Sequence, residues 1–307
     1  MTSFIGTHPM PSGTVLPLRE HEAALRVQEA ASLAGQIHSS AVQRLIGLLG
    51  DEHPFVRWQA GVSLADTASQ LRQRARAGSS FWDRQSPELT YSGLLALLRD
   101  GLQDSNPQRR EATADTLGLL DHEVVVGFLV QSLEDGEPAV RASAAGALGR
   151  IADRSAVNAL IPSLSDPSVW VRRAAADALG AIADPSSVPA LQLALGDRHP
   201  LVRASAVCAL GHINVPRSRE MLERCCADPD ATVRWYAARA LCAVGNTGSL
   251  PAIERIRGDD TVLFGQSTGE VADLAMEAIE RRESGPWHWL RKSLFALRRR
   301  FRRPCES

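Results

Sequence analysis

The chain has 307 residues, of which 44% are hydrophobic but only 5% aromatic, and its formal net charge is −1 at pH 7. No apolar run reaches the roughly 18 residues of a membrane-spanning helix, and the first residues lack the basic and apolar segments of a secretory signal. The five cysteines show no CxxC spacing, so we expect a cytoplasmic protein with reduced thiols rather than a disulfide framework.

The first predicted element is a helix from about Leu18 to Gln36, placed before the first unit of a repeat that begins at Ser39. We expect residues 1–38 to form an N-terminal segment and a capping helix. The physical reason is that the terminal unit of a stacked array must cover an apolar face that has no further neighbour.

Six short segments that follow this helix are near-copies of one another. Each begins with Asp and carries Arg six residues later, and four successive intervals between these aspartates are 31 residues long. The pairs are Asp51 and Arg57, Asp104 and Arg110, Asp135 and Arg141, Asp166 and Arg172, Asp197 and Arg203, and Asp228 and Arg234. Such a period is typical of solenoids. The sequence therefore predicts an all-α solenoid, or superhelix, of short helix-pair repeats over residues 39–282.

The unit at residues 153–183 shows how the pattern produces two helices. Apolar residues recur at helical spacing in both halves: Val157, Leu160, Ile161 and Leu164, then Val171, Ala175, Ala178, Leu179 and Ile182. Between the halves, Asp166 is expected to cap the second helix and Pro167 to occupy its first position. Gly180 is expected to permit a close contact near the end of that helix.

The array is interrupted near its start and changes near its end. The first two aspartates are 53 residues apart, and we assign the excess to an insertion at about residues 69–89. After Asp259, Gly265 stands where Arg is expected, and the last helix, predicted from Glu270 to Arg282, is displaced. Atypical terminal units are expected in a solenoid.

Residues 283–307 are predicted to form a basic amphipathic helix or tail. Its candidate surface residues are Trp287, Leu290, Arg291, Lys292, Leu294, Leu297, Arg298, Arg299, Phe301 and Arg302. The tail is compatible with an anionic membrane surface at the inner membrane face, with the phosphates of a nucleic acid, or with docking to a protein. The apolar stripe favours a membrane or protein contact, since phosphate binding alone has no use for it.

The recurring Asp-Pro, Val-Arg and Ala-Leu-Gly elements, seen together in residues 166–180, resemble the HEAT-like repeats of the phycobilisome (PBS) lyase type. The resemblance extends from about Ser39 to Arg282 and implies an armadillo-like helical solenoid. Proteins built from such repeats include bilin lyases, bilin chaperones, deoxyhypusine hydroxylase and adaptors. The hydroxylase would imply His-Glu pairs on several second helices for two irons. This chain has them only at residues 21–22 and 122–123, so we expect no metal site.

The repeated Asp and Arg are interpreted as a structural ladder. An Asp in the turn between two helices and an Arg one turn into the next helix are placed to bind each other and the neighbouring turns. A feature that recurs in every unit suits stacking, whereas one ligand seldom needs six copies.

The candidate binding surface is the face of the second helices opposite their packing side, expected to line the concave groove of the solenoid. Its residues are Phe55, Trp58, Trp170, Arg173, Asp177, Leu201, Trp235 and Arg239. Trp and Arg are frequent in interface hot spots. The alternative is that each Trp only fills a step between adjacent repeats.

These patterns favour a non-catalytic scaffold or adaptor that binds a protein in this groove and needs no cofactor. The resemblance makes a phycobilin lyase or a bilin chaperone the alternative. In that case Arg173 and Arg239, beside Trp170 and Trp235, would hold the propionates of a bound bilin. The sequence assigns no catalytic residue, partner identity or oligomeric state.

Overall fold

The computed structural model describes residues 18–76, 89–120 and 123–283. The prediction of an all-α solenoid is confirmed, since these residues form helix after helix, packed in sequence order. The helices are α1 (Leu18–Ser32), α2 (Ser39–Leu48), α3 (Pro54–Arg76), α4 (Tyr91–Gly101), α5 (Pro107–Gly118), α6 (Val126–Ser132), α7 (Pro138–Ile151), α8 (Val157–Leu160), α9 (Val169–Ile182), α10 (Val188–Ala194), α11 (Pro200–Ile213), α12 (Pro216–Cys225), α13 (Ala231–Val244), α14 (Leu250–Glu254) and α15 (Thr268–Glu283). The chain divides after Leu120 into two units.

In the unit that begins at residue 121, the second helix of each repeat packs on the second helix of the next. The helices α7, α9, α11, α13 and α15 follow one another in this way, and the first helices α6, α10 and α12 pack against the same series. The leucines at equivalent positions, Leu148, Leu179 and Leu210, are completely buried. The core is therefore a continuous row of small and branched side chains, as expected when no helix pair can bury its apolar face alone.

Glycine at the end of the recurring Ala-Leu-Gly element allows adjacent second helices to touch. A Cβ atom on Gly180 would lie 2.7 Å from Cα of Ala209, and one on Gly149 would lie 2.8 Å from Cα of Ala178. Real Cβ atoms do not come this close to backbone, so Gly is required here by the packing of one repeat on the next.

The first helix of the 153–183 unit differs from the prediction. It breaks after α8 into a 3₁₀ turn at Pro162–Ser165, since proline has no backbone N–H to continue the α-helical ladder. The second helix begins at Val169, so Pro167 lies in the turn before it. In α7 and α11, by contrast, Pro138 and Pro200 do occupy the first helical position.

In the unit that ends at Leu120, α1 packs on α3. Helix α3 has 23 residues, whereas α7, α9, α11 and α13 have 14 each. The first part of the predicted insertion therefore continues α3 as far as Arg76, and residues 77–88 lie outside the described part of the chain.

A short hairpin precedes the last helix and was not predicted. Strands β1 (Val262–Leu263) and β2 (Gln266–Ser267) pair antiparallel, with Leu263 opposite Gln266. Phe264 and Gly265 form the two-residue turn, both with positive φ, 52° and 80°. This is the sign pattern of a type I′ turn. The hairpin displaces the start of α15 to Thr268.

Candidate functional site

The repeated Asp and Arg join consecutive units in the part of the chain after residue 121. In the central rung, Nε of Arg172 donates to Oδ2 of Asp197 at 2.6 Å and Nη2 donates to Oδ1 at 3.0 Å. Nη1 of Arg172 donates to the carbonyl of Asp166, in its own turn, at 2.8 Å. One guanidinium thus ties its own turn to the next one, and we call this arrangement the ladder.

Three further rungs have the same geometry, with Nε-to-Oδ2 distances between 2.7 and 2.8 Å. They are Arg141 with Asp166, Arg203 with Asp228, and Arg234 with Asp259. The sequence analysis did not assign Asp259 to the ladder, although its distance of 31 residues from Asp228 was the available signal.

The ladder carboxylates are held in their ionised form. Burial of Asp197 opposes ionisation, yet the hydrogen bonds from Arg172 and from the N–H of His199 bring the pKa of Asp197 below its ordinary value. The pKa of Asp166 is lowered in the same way by Arg141 and by the N–H of Ser168, against the effect of burial. Each carboxylate therefore accepts hydrogen bonds both from the backbone of its own turn and from the Arg of the preceding repeat.

Before Leu120, the carboxylate of Asp104 has a different partner from that in the regular rungs. Nη1 of Arg57 donates to the carbonyl of Asp51 at 2.8 Å, and Nη1 of Arg110 donates to that of Asp104 at 2.8 Å. The carboxylate of Asp104, however, accepts from Nη1 of Arg109 at 2.8 Å. The insertion after Arg57 therefore changes the rung that a regular repeat would make.

Arg26 of α1 completes a rung that the sequence analysis missed. Its Nε donates to Oδ2 of Asp51 at 2.7 Å and its Nη2 to Oδ1 at 3.2 Å. Helix α1 therefore occupies the place of a second helix rather than of an unrelated cap. The available signal was that Arg26 precedes Arg57 by one full repeat of 31 residues.

The predicted binding surface forms a continuous face in the unit after residue 121. We define the second-helix face by the outer residues of α7, α9, α11 and α13: Ala139, Gly146, Trp170, Arg173, Asp177, Leu201, Cys208, Thr232, Tyr236 and Arg239. Trp170 is 59% exposed and Leu201 is half-buried. Arg173 and Asp177 form an exposed pair, with Nε 3.6 Å from Oδ2.

The helices bring Asp177, Cys208 and Arg239 into one row across three repeats. Although the side chain of Asp177 is half exposed, partial desolvation by neighbouring groups raises its pKa, and the Ser205 hydroxyl and the positive charge of Arg173 oppose this rise. Burial also raises the pKa of the Cys208 thiol to about 12, with Asp177 adding to the rise and Arg239 opposing it. At neutral pH Cys208 is therefore a protonated thiol and a weak nucleophile.

Trp235 does not belong to the exposed surface, which corrects the prediction for this residue. It is only 4% exposed, because the ring of Phe264 lies over it with 5.3 Å between ring centroids. Here the alternative role, filling a step in the stack, is the one that the packing shows. Arg239 remains exposed, with its guanidinium carbon 5.7 Å from the centre of the Trp235 ring.

A cavity of about 410 Å³ opens on this face between α11, α13, α15 and the hairpin. Tyr236, Arg239 and His212 supply its polar groups, and Val271 and Leu274 of α15 supply part of its apolar wall. A second cavity, of about 530 Å³, lies among the turns and includes Arg172 and Asp197 of the ladder.

In the unit before residue 121, Phe55 and Trp58 of α3 are both exposed. His53 stacks on Phe55, with 6.1 Å between ring centroids. These two aromatic residues form a separate apolar patch on α3.

Several other expectations concern metals, thiols and the tail. In the described ranges, no group of three or more His, Cys, Asp or Glu side chains is placed to hold a metal ion. Cys225 and Cys226 are buried, and burial raises the pKa of each thiol to about 12. None of the described helices is both long enough and apolar enough to cross a bilayer. The tail surface, residues 284–307, lies outside the described residues.

Residues 126–197 and 188–266 match the model of a family described as HEAT repeats. Together these matches span residues 126–266, which is less than half of the chain. The match begins at α6 and ends at the hairpin, so it includes the four regular rungs of the ladder up to Asp259. The resemblance noted in the sequence is confirmed for the repeat type.

Solved structures with HEAT-like folds resemble the whole array at low identity. Kap95p, in a complex with RanGDP, aligns over 91% of this chain and 43% of that chain with 17% identity and a TM-score of 0.58. The Escherichia coli protein YibA aligns over 87% and 98%, with 19% identity and a TM-score of 0.51. The CpcE and CpcF complex of phycocyanin lyase from Nostoc sp. PCC7120 aligns over 92% and 93%, with 20% identity and a TM-score of 0.45. The likenesses to Kap95p and YibA show the fold alone. No individual curated protein matches the sequence significantly.

Proposed function

We propose that the protein is a non-catalytic scaffold that binds a protein partner through the second-helix face. The observation that carries this proposal is the exposure of Trp170, 59%, on a helix whose opposite face is completely buried. Tryptophan is enriched in binding hot spots, so an exposed Trp on this face is a candidate anchor for a partner.

The chemistry of this face changes from repeat to repeat while the backbone stays the same. Equivalent positions two residues before the ladder Arg are occupied by Ala139, Trp170, Leu201 and Thr232. A constant framework with variable outward side chains is how a solenoid presents an extended and specific surface. The fold supports this reading, since Kap95p, a protein of similar fold, is a binding partner of RanGDP.

The alternative of a bilin lyase or bilin chaperone fits the described residues less well. The alternative used Trp170 and Trp235 with Arg173 and Arg239 around the pigment, but the indole of Trp235 is buried under Phe264. Arg173 is engaged with Asp177.

Site-specific photo-crosslinking in the source cells tests the scaffold proposal. The exposed residue Ala139 on α7 is replaced by p-benzoylphenylalanine, which reports on a partner lying along the second-helix face without altering Trp170. We expect a covalent adduct with one defined protein. Substitution Trp170→Glu in the same chain should reduce the adduct about tenfold or more, because it removes a hot-spot side chain and introduces a charge.

The matched control places the same crosslinker at Arg224, an exposed position on the first helix α12. It should give no adduct with that protein. An adduct of equal yield at both positions, or one that Trp170→Glu leaves unchanged, would show that the second-helix face is not the binding surface.

A further inference from the structure

The cavity at the C-terminal end of the second-helix face has walls of two kinds. Val271 and Leu274 of α15 supply an apolar wall, and Tyr236 and Arg239 of α13 supply a polar one. Its volume, about 410 Å³, is within the range of pockets that accept one or a few side chains or a small ligand. The occupant assigned to this cavity below rests on the scaffold function proposed above.

One cationic side chain of the cavity lining, Arg239, has no counter-charge among the described residues. Arg239 forms no ion pair with any described residue, and its guanidinium lies against the ring of Trp235. Nε1 of Trp235 is buried and has no hydrogen-bond partner in the described part of the chain. No Asp or Glu belongs to the described lining of the cavity. A group that supplies acceptor oxygens therefore suits the guanidinium of Arg239.

Phe264, close to this cavity, has a strained backbone conformation. It has a φ of 52°, a region that bulky side chains rarely adopt, and it is 77% exposed. A type I′ turn favours Asn or Gly at this position. Strain of this kind is often retained at binding sites. Here it holds an aromatic ring over Trp235 and 6.3 Å from the ring of Tyr236.

We propose that this cavity binds an acidic–apolar segment of the partner protein. An apolar side chain enters between Tyr236 and Leu274, and the carboxylate of an adjacent Asp or Glu binds the guanidinium of Arg239. The exposed ring of Phe264 covers the apolar side chain from the hairpin. Charge complementarity selects this occupant, because the described lining contains the guanidinium of Arg239 and no Asp or Glu.

Selection from a phage library of short random peptides, with the full chain as bait, tests this assignment. We expect enriched peptides that carry Asp or Glu beside a large apolar residue. A synthetic peptide of this kind should bind about tenfold more tightly than the same peptide with an amide in place of the carboxylate. The variant Arg239→Glu should lose the acidic peptide by a similar factor and bind its Lys counterpart better.

Two further variants separate binding from folding. Arg224→Glu makes the same charge change on the exposed surface of α12 and should leave the peptide affinity unchanged. Phe264→Asn relieves the strained φ and should weaken binding, while the far-ultraviolet circular dichroism spectrum shows that the helices remain folded. Failure to enrich any peptide, or equal affinity for the acid and the amide, overturns the assignment.

The two proposals fail in different ways. If Arg239→Glu leaves the Ala139 photo-adduct unchanged while Trp170→Glu removes it, the scaffold function stands and the cavity assignment is wrong. If Ala139 gives no adduct at all, the second-helix face itself is not the binding surface.

Discussion

The ladder and the second-helix face lie on the same helices but differ in how their charged side chains are buried and paired. In the ladder, the side chains of Arg172 and Asp197 are 7% and 10% exposed and form two direct hydrogen bonds. On the second-helix face, the next residue, Arg173, pairs with Asp177 at 3.6 Å, with side chains 45% and 52% exposed. Adjacent arginines therefore have different physical roles.

The difference teaches which side chains hold the array together. A ladder residue recurs in every unit because each repeat must fasten to the next at the same place. A residue on the second-helix face changes from unit to unit, because nothing in the stack depends on it. Repetition along the chain thus indicates a structural role, and variation on a constant backbone indicates a surface free to become specific.

Removal of a ladder arginine is expected to have the largest effect on stability. Arg172→Ala leaves the carboxylate of Asp197 buried without its cation and should lower the free energy of unfolding by about 3 kcal/mol. Urea denaturation followed by far-ultraviolet circular dichroism measures this change.

The control for this variant is the double substitution Arg172→Ala with Asp197→Ala. Its loss should be clearly smaller than the sum of the two single losses, because neither charge is then left alone. Additive losses would contradict the role of this pair as a rung.

Closing the glycine contact between repeats is expected to have the next largest effect. Gly180→Ala forces a Cβ atom to within 2.7 Å of the backbone of Ala209, and the helices must separate. The free energy of unfolding should fall by about 1–3 kcal/mol, measured by the same denaturation.

Gly146→Ala is the matched control on the second-helix face. A Cβ at Gly146 meets only the end of the Arg150 side chain, at 3.8 Å. The same substitution should here raise stability by about 0.5–1 kcal/mol, since alanine favours the helix more than glycine does. Equal effects at both glycines would argue against a close contact at Gly180.

Loss of the exposed arginine beside the ladder is expected to have the smallest effect. Arg173→Ala should change the free energy of unfolding by less than about 0.5 kcal/mol, because its pair with Asp177 is half exposed. Thermal denaturation of Arg173→Ala beside Arg172→Ala tests the comparison directly. A loss at Arg173 as large as at Arg172 would remove the distinction between the two surfaces.

The sequence predicted the helix pairs well because stacking imposes one period on the chain. The same period extends to Arg26 and to Asp259, which lie one repeat outside the assigned series and complete the terminal rungs. Neither was recognised, since the residues around them no longer copy the central segments. Only the 31-residue spacing from Arg57 and from Asp228 identifies Arg26 and Asp259 in the sequence.

The repeat period did not predict the C-terminal hairpin. Phe264 occupies a position that normally selects Asn or Gly, so local propensity gave no turn signal. Its ring then buries Trp235, which the helical pattern alone had placed on the open surface. The burial of Trp235 depends on a residue from the following unit.

The sequence alone determined the helix-pair repeat, the spacing of the ladder and the face on which Trp170 lies. These follow from periodicity, because each unit must offer its neighbour the same apolar stripe and the same charged turn. Only the tertiary structure decided which outward residues stay accessible, and where a cavity forms between Arg239 and Leu274. Those features arise where a strained hairpin and a displaced last helix interrupt the repeat, and no repeated pattern encodes them.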